Sequence, residues 1–474
     1  MASVEYNNYF TRGFYFSKKR RIDNCLEGWS CLHVGGYVFQ FHPKTSFQIA
    51  QSSSGESSVV IIGLPVDLED FSAKPEKIVN KSSNLLESDG FEKFQRYIAY
   101  LGGRFIAIAI KHAENIIVIP DCHATYACYY TEKNGGAFSS HINLLGKVEE
   151  LNVNETARSV VNSTDYKAPG GKYYPGLMLP YEEALTLLPN CRLENQFQSS
   201  IIANKRFYPF TDLELSCSLS KKNLVSKFNY LLYSNIKGIV KDQDFYVSLT
   251  GGMDSGVALS SIIKGGLDKK AKAFTYFNAT SVQSTAIKDV MAASQRAFSS
   301  NIPHKIVDLK PLELGSHFHQ MYSMSFRYGA RFPSLARAYY EELPHDILSL
   351  VSTCSETGTC FYSSRPEKNI SVDLLAEKFS NSEIKKNTIV LESFENYIEY
   401  ASFKSSLLGP LDFYDVFYWE HRNAKWASLW YSESDLSHFT VVPFNQRSII
   451  ETMLSLPFED RLNKYILQES LVNF

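Results

Sequence analysis

The sequence predicts a two-domain protein of mixed α/β and α+β class, with a β-rich first domain and a parallel α/β sheet that continues into a helical C-terminal part. Closely spaced apolar runs separated by Gly and Asn turns extend to about residue 200. Beyond residue 216, strand-like runs alternate with helical patterns, and from about residue 314 helical patterns dominate. We place the two domains at residues 1–205 and 216–474.

The elements of the first domain follow from short apolar runs bounded by turns. Strands are predicted at residues 35–41, 59–63, 102–110, 115–121, 127–130 and 136–140. Helices are predicted at residues 90–101 and 181–188, and residues 195–215 are interpreted as a crossing segment. The spacing of these strands indicates a β-rich layer that is covered by a few helices.

In the second domain the strands and helices alternate. Helices are predicted at 219–239, 257–263 and 287–298, and strands at 245–249, 273–277 and 306–308. Such alternation is typical of a parallel sheet with helices on both faces.

Composition limits the classes of function. The chain has 474 residues, a hydrophobic fraction of 44% and a net charge of −2, which gives no overall attraction to nucleic acid or anionic membranes. The basic run Lys18–Arg21 is interpreted as a solvated loop, and the eight Cys form no CxxC pair. With no long apolar segment and no leader pattern, we expect a cytoplasmic protein that does not cross a membrane.

The most informative segment lies between the strand at 245–249 and the next helix. It reads Thr250-Gly251-Gly252-Met253-Asp254-Ser255. A glycine pair after a strand lets backbone amides approach an anion, and the helix N-terminus adds positive potential at the same place. The hydroxyl groups of Thr250 and Ser255 can bond phosphate oxygens, whereas Asp254 suits such a site if it holds a cation.

The segment therefore predicts a Mg²⁺–ATP site with Asp254 as the metal ligand. It is not a Walker loop, since no Lys follows the glycines, and it is not a dinucleotide fingerprint. The predicted nucleotide-binding residues are Ser248, Thr250, Gly251, Gly252, Met253, Asp254, Ser255 and Phe274.

The Thr250–Ser255 pattern resembles the pyrophosphate loop of the N-type ATP pyrophosphatases. Further segments, in the same order along the chain, are similar to asparagine synthetases: residues 101–108, 120–124, 129–130, 138–141, 181–190 and 442–457. The resemblance covers nearly the whole chain. It implies an Ntn-type, glutaminase-like sandwich for the first domain and an ATP-pyrophosphatase fold for the second.

Three departures from that family pattern bear on function. The family's nucleophilic Cys follows Met1, but Ala2 stands here, so we expect an inactive glutaminase domain. Ser355 replaces the family's second magnesium Asp, and Glu356 matches its Glu. For the family's catalytic Lys, Lys464 is the nearest candidate.

A further stretch at residues 418–426 also holds candidate catalytic groups. The spacing of Tyr418, Arg422 and Lys425 predicts that they share one face of a helix. They either line the active-site cleft or pack within the helical C-terminal part. Glu356, Lys464, Arg422 and Lys425 are thus the four predicted catalytic residues.

The resemblance implies a ligase that adenylates a small-molecule or peptide carboxylate, releases pyrophosphate and passes the acyl group to an amine. Ligases with an inactive glutaminase domain, such as β-lactam synthetases and lasso-peptide cyclases, provide the analogy. Two alternatives stay open: a nucleotide-binding regulatory or scaffold protein without catalysis, and another chemistry on the same loop, such as tRNA thiolation or deazapurine nitrile formation. No nucleic-acid partner is expected, and a homodimer is compatible with the sequence.

Overall fold

The computed structural model describes residues 9–112, 115–168, 171–195, 201–215, 219–279, 284–329 and 331–471. Its strands form two six-stranded antiparallel sheets and one five-stranded parallel sheet. The antiparallel strands all lie between residues 14 and 206, and the parallel ones between residues 245 and 441. This arrangement agrees with the predicted mixed α/β class. The division into domains at residues 205 and 216 stays a prediction.

The two antiparallel sheets are built from twelve strands. These are β1 (Phe14–Ser17), β2 (Ser30–Val34), β3 (Tyr37–Phe41), β4 (Phe47–Gln51), β5 (Ser57–Val66), β6 (Gly102–Lys111), β7 (Asn115–Pro120), β8 (Tyr129–Thr131), β9 (Ala137–Ser139), β10 (Leu185–Thr186), β11 (Cys191–Asn195) and β12 (Ile202–Arg206). The spatial orders are β10-β8-β9-β1-β3-β2 and β12-β11-β7-β6-β5-β4.

Strand β6 is buried on both faces, which explains its continuous apolar sequence. Ile106 and Ile108 belong to a core shared with the phenylalanines of the other sheet, such as Phe16. The alternating residues Ala107 and Ala109 belong to the core on the opposite face. Because successive side chains of a strand point to opposite faces, a sheet covered on both sides needs a continuous apolar run.

Helices cover both outer faces of this sandwich. They are α1 (Pro75–Asn84), a π-helical turn at Leu85–Asp89, α2 (Phe91–Ala99), α3 (Ile142–Val148) and α4 (Glu155–Asn162). Helix α1 contacts β4 and β5 of one sheet, and α3 contacts β8 and β9 of the other. The result is a helix–sheet–sheet–helix stack, in which each sheet buries both of its faces.

The parallel sheet contains β13 (Phe245–Ser248), β14 (Ala271–Phe277), β15 (His304–Asp308), β16 (Leu348–Leu350) and β17 (Phe439–Val441). Helices α5 (Lys221–Val240), α6 (Met253–Lys264) and α7 (Ser284–Ser299) precede or connect its first three strands. The spatial order is β15-β14-β13-β16-β17, so the winding direction reverses between β13 and β16. In open α/β sheets, ligands bind at the carboxyl ends of the strands beside such a switch point.

The remaining helices form the C-terminal part. They are α8 (His317–Phe326), α9 (Pro333–Glu342), α10 (Val372–Phe379), α11 (Thr388–Tyr400), α12 (Phe413–Phe417), a π-helix at Tyr418–Ala427, α13 (Ser428–Ser434), α14 (Arg447–Leu454), α15 (Phe458–Leu462) and α16 (Tyr465–Ser470). Short 3₁₀ turns lie at Asn24–Leu26, Lys133–Gly135, Asp268–Lys270, Ser355–Thr357, Glu383–Lys386 and Ser405–Leu407. No helix in the described ranges combines the length and the apolarity that a bilayer crossing requires.

The helix predicted at 181–188 was wrong, because Leu185 and Thr186 form strand β10 and pair with β8. The segment interpreted as a crossing at 195–215 contains β12, which pairs along its length with β11. The part beyond residue 314 is mostly helical, as predicted, and also contains the three-residue strands β16 and β17. These short strands depend on distant partners, which local periodicity does not reveal.

Buried charges join the two sandwich sheets to the parallel-sheet part. Arg104 of β6 donates two hydrogen bonds to Asp435, from Nη1 to Oδ1 at 2.8 Å and from Nη2 to Oδ2 at 2.7 Å. Their side chains are 1% and 3% exposed. Arg206 of β12 pairs similarly with the buried Glu420. Two buried bidentate ion pairs therefore fix how the two parts meet.

Replacing Asp435 with Ala should lower the free energy of unfolding by about 3–5 kcal/mol, because the Arg104 guanidinium then stays buried without its anion. Urea unfolding followed by circular dichroism measures this. The control is Glu155→Ala, which removes a 73%-exposed partner of Arg158 and should cause no measurable change. A loss for Asp435→Ala no larger than that of the control would contradict the role assigned to the pair.

Candidate active site

The predicted nucleotide loop lies at the switch point of the parallel sheet. It leaves the carboxyl end of β13 at Leu249, and α6 begins at Met253. Gly252 is the N-cap residue of α6, and no side chain caps that helix end. The amides of the first turn therefore remain available to an external anion, and the helix dipole favours negative charge there.

Hydrogen bonds within the loop set its shape. Thr250 Oγ1 accepts from the Gly252 amide at 3.0 Å, and Ser255 Oγ accepts from the Thr250 amide at 3.1 Å. The two hydroxyl oxygens lie 3.1 Å apart. Both hydroxyls, predicted as phosphate ligands, thus hold the backbone of the loop in its turn.

Two side chains of helix α7 also hold the loop, and the sequence analysis missed both. Arg296 Nη1 donates to the carbonyl oxygens of Thr250 at 2.7 Å and of Gly252 at 2.8 Å. Asp289 Oδ1 accepts from the Gly251 amide at 3.2 Å. Asp289 therefore occupies the Gly251 amide and fixes the course of the loop. No local motif marks these residues, because their role depends on how α7 packs beside the loop.

The loop after β16 meets the nucleotide loop across the switch point. Ser355 Oγ donates to Asp254 Oδ1 at 2.6 Å. Ser355 follows Cys354, whose backbone is left-handed at φ 70°. A non-glycine residue in this region carries strain of about 1–3 kcal/mol, and such strain is frequent at functional sites. Ser355 stands where the resembled family has a second magnesium-binding Asp. It thus contacts Asp254, the predicted metal ligand.

Glu356 lies in the same turn in an environment that opposes its charge. Its Oε2 atom is inaccessible and has no hydrogen-bond partner among the described residues. Burial raises the pKa of Glu356, and the nearby Asp254 carboxylate raises it further. Tyr418 and Lys464 act in the opposite sense. A carboxyl group with a raised pKa in a cleft is suited to proton transfer.

Lys464 reaches this cluster from the C-terminal helices. It is the N-cap residue of α16 and has a left-handed backbone, with φ 56° and ψ 33°. Its charge acts on Glu356, which lies more than a hundred positions earlier in the chain. The structure therefore brings together Asp254, Ser355, Glu356 and Lys464.

Two other predicted nucleotide-binding residues lie inside the sheet. Ser248 and Phe274 are opposite each other in β13 and β14. Phe274 is 0% exposed and packs against Tyr339 and His438, with ring centroids 5.5 and 6.2 Å away. Its side chain therefore belongs to the core, and nucleotide binding by Phe274 stays a prediction that its backbone would have to meet. Ser248 is 6% exposed at the end of its strand.

Lys425 does not share the face of Tyr418 and Arg422 that the sequence predicted, whereas Tyr418 and Arg422 both contact the ring of Phe361. The segment Tyr418–Ala427 is a π-helix, and its i→i+5 bonding rotates residues away from α-helical positions. Lys425 Nζ donates to the carbonyl oxygens of Gly176 at 2.7 Å and Met178 at 2.8 Å. The buried ammonium of Lys425, whose pKa burial lowers, is therefore tied to the segment before β10 rather than to the loop.

The metal prediction can be tested against the side chains that are present. The described residues contain no cluster of three His, Cys, Asp or Glu side chains that could hold a metal ion. Mg²⁺ on a nucleotide usually takes one or two carboxylates, with water and phosphate oxygens completing its octahedron. Asp254 can supply such a carboxylate.

No protein-family model and no curated protein sequence matches this chain. Among solved structures, the NH₃-dependent NAD synthetase from Campylobacter jejuni is 14% identical, with 40% of this chain and 91% of that chain covered at a TM-score of 0.21. An NMN synthetase from Francisella tularensis is 15% identical, with 41% and 76% covered and a TM-score of 0.19.

A third similar structure extends over more of the chain. The glutamine phosphoribosylpyrophosphate amidotransferase from B. subtilis is 8% identical, covering 79% of this chain and 73% of that chain at a TM-score of 0.25. TM-scores this low do not establish a shared fold. The function must therefore be argued from the residues of this chain.

Replacing Glu356 with Gln should stabilise the protein at pH 7. Because the folded-state pKa of Glu356 is raised, the wild type loses stability as pH rises above the ordinary glutamate value of 4.5, and the uncharged Gln does not. The urea midpoint of Glu356→Gln should exceed that of the wild type by an amount that grows from pH 4 to pH 7. The two midpoints should be nearly equal at pH 4. Glu392→Gln, on the exposed face of α11, is the control, and an equal shift in it would contradict the assignment.

Proposed function

We propose that this protein is an ATP-dependent, AMP-forming ligase that joins a carboxylate to an amine. The observation that supports it is the position of the Thr250–Ser255 loop, with Asp254, at the switch point of the parallel sheet. A glycine turn at an uncapped helix N-terminus suits a pyrophosphate group. A carboxylate such as Asp254 is unfavourable beside a bound phosphate. A metal ion between the two groups would explain its presence.

In this proposal the uncapped amides at the N-terminus of α6 hold the phosphates. Arg296 and Asp289 keep the loop open by binding its backbone. Asp254 holds Mg²⁺, which when bound neutralises charge on the departing pyrophosphate. Donors fixed where that charge develops stabilise the transition state, since they need no rearrangement during the reaction.

The substrate carboxylate attacks the α-phosphorus of ATP, the bond to the bridging oxygen breaks, and pyrophosphate leaves. The resulting acyl-adenylate is attacked at its carbonyl carbon by an amine, and AMP departs as the amide forms. In this proposal Glu356 accepts the proton that the amine loses. Lys464 stabilises the oxyanion of the tetrahedral intermediate in the same proposal.

The amine comes from outside in this proposal. We expect no glutamine hydrolysis by the first part of the chain, and residues 1–8, on which this expectation depends, lie outside the described residues. The sandwich is then a scaffold that the ion pairs of Arg104 and Arg206 hold against the ligase part. Ammonia, an amine of a second substrate or an amine of the same molecule would serve equally.

A nucleotide-binding protein without catalysis is the second candidate. It is favoured by Ser355, which stands where the resembled family has a second metal-binding acid and which binds Asp254 directly. With Ser355 in place of that acid, the site has one carboxylate fewer than in the resembled family and would bind the metal ion less tightly. The two candidates differ in whether ATP is cleaved.

Asp254→Asn should weaken Mg²⁺-dependent ATP binding at least tenfold and abolish AMP formation, because the metal loses a charged ligand. Calorimetry measures binding with and without Mg²⁺, and chromatography separates AMP from ADP after incubation with an extract of small acids and amines. Asp242→Asn, with a 92%-exposed side chain before β13, is the control.

The outcomes separate the two candidates. AMP and pyrophosphate that appear only with the extract, and vanish in Asp254→Asn, support the ligase. ATP that binds but is never cleaved favours the non-catalytic protein. Equal Mg²⁺–ATP binding by Asp254→Asn and wild type would remove the basis of the loop assignment.

Lys464→Ala should lower turnover about 10²–10³-fold while leaving ATP affinity unchanged, because the lost donor acts on the oxyanion that forms after adenylation. Steady-state amide formation and ATP titration measure the two effects. Lys404→Ala, at an exposed position, is the control and should behave as wild type. Full turnover by Lys464→Ala would show that the oxyanion is stabilised elsewhere.

A further inference from the structure

The loop that follows β7 in the sandwich is fixed by one buried carboxylate. Asp121 is 1% exposed, and its two oxygens accept from the backbone amides of residues 105, 123, 125 and 126 at 2.9–3.2 Å. The hydroxyl of Thr125 donates to the same carboxylate at 2.7 Å. A carboxylate with this many donors holds the course of its loop, so the next side chains of the loop have a defined direction.

His123 of this loop is buried against the second part of the chain. It is 0% exposed, and its ring stacks on Trp419 with the centroids 5.2 Å apart. Trp419 Nε1 donates to the carbonyl oxygen of Cys122 at 2.7 Å. Burial lowers the pKa of His123 to about 3, so the ring is neutral at pH 7. One nitrogen of a neutral imidazole is a donor and the other is an acceptor.

The partners of His123 determine which nitrogen carries the proton. Asn445 Nδ2 donates to the carbonyl oxygen of Gly103 at 2.6 Å and to Thr125 Oγ1 at 3.1 Å. The Asn445 Oδ1 atom therefore faces His123, where it lies 2.9 Å from Nδ1. Because an amide oxygen only accepts, Nδ1 of His123 carries the proton and Nε2 is the acceptor.

This acceptor meets the turn that carries the candidate site. Thr357 Oγ1 lies 3.3 Å from His123 Nε2 and is the donor of the pair. Thr357 is 0% exposed and is the last residue of the Ser355–Thr357 turn, directly after Glu356. A residue of the sandwich is thus bonded to the residue beside Glu356.

The position of Glu356 requires support of this kind. Its Oε2 atom is buried without a partner among the described residues, so the carboxyl group would gain hydration if its turn could move. Trp419, which stacks on His123, is next in the chain to Tyr418, and Tyr418 acts on Glu356. His123 therefore contacts both segments that border Glu356, the Ser355–Thr357 turn and the π-helix.

We propose that His123 is a positioning residue for Glu356. Through its hydrogen bond with Thr357 it holds the Ser355–Thr357 turn, so that the carboxyl group of Glu356 stays buried beside Asp254. The sandwich then acts on the candidate site directly, in addition to serving as a scaffold. The inference rests on the proposed function for the chemical role of Glu356.

A double-variant cycle tests this by measuring how strongly each variant keeps Glu356 buried. In the wild type, the urea midpoint gained by Glu356→Gln should grow from pH 4 to pH 7, because the folded-state pKa of Glu356 is raised. His123→Asn keeps a donor for Asn445 but offers Thr357 no acceptor, and Thr357→Val removes the hydroxyl with little change of shape. In each background the gain from Glu356→Gln at pH 7 should fall to less than half, because the released carboxyl group reaches water.

His141→Asn is the matched control. His141 is 4% exposed and contacts Ser140, Phe10 and Phe326. The gain from Glu356→Gln should be as large in His141→Asn as in the wild type. A gain that is equally large in His123→Asn and Thr357→Val overturns the proposal, and Thr357→Val decides alone if His123→Asn fails to fold.

Other titratable groups do not disturb this comparison. Those that face Glu356 or His123 are Asp121, Asp254, Cys354, Tyr418, Tyr431, Arg447 and Lys464. They are present in every variant, so their own titration cancels when the gain from Glu356→Gln is compared between backgrounds.

The proposed function is judged separately. The cycle needs neither ATP nor an acid substrate, so it decides the position of Glu356 even if the wild type forms no AMP with the extract, which is the result that favours the non-catalytic protein. If AMP forms, Thr357→Val should lower turnover at least tenfold at unchanged Mg²⁺–ATP affinity, because the displaced carboxyl group no longer meets the amine. Unchanged turnover of Thr357→Val would overturn the proposal.

Discussion

The buried ion pair between Arg104 and Asp435 sets the arrangement on which the rest of the molecule depends. It joins β6, in the middle of the sandwich, to the segment that leads into β17. Strand β17 pairs with β16, and the turn after β16 carries Ser355 and Glu356. A charge pair with so little exposure tolerates little movement, because any separation would leave both ions desolvated. The sandwich thereby fixes the position of one wall of the candidate site.

The candidate site is built from groups that a purely structural core would avoid. Glu356 keeps a buried oxygen without a partner among the described residues. Cys354 and Lys464 hold left-handed backbones without being glycine. Each of these features costs folding free energy. Similar features occur elsewhere in the described chain, such as the unpartnered side chain of Asn143 and the left-handed backbone of Asn190.

The sequence predicted much of the candidate site but not the residues that hold it in place. The loop at Thr250–Ser255 carries its own signal, since a strand, a glycine pair and a helix start are consecutive in the chain. Arg296 and Asp289 carry no such signal, because each acts on residues brought near by helix packing. Lys425 shows the opposite failure: its spacing suggested a face shared with Tyr418 and Arg422, and π-helical bonding turns it toward Gly176 and Met178 instead.

Sequence alone determined the mixed α/β class, most longer strands and helices, and the place of the phosphate-binding turn, because periodicity, glycine and helix-start signals act within a few residues. The tertiary structure alone decided the short strands β10, β12, β16 and β17, the burial of Phe274 and the pairing of Ser355 with Asp254. It also decided that buried carboxylates neutralise Arg104 and Arg206. These outcomes depend on long-range hydrogen bonds and on desolvation, which arise when distant segments pack together and have no local signature.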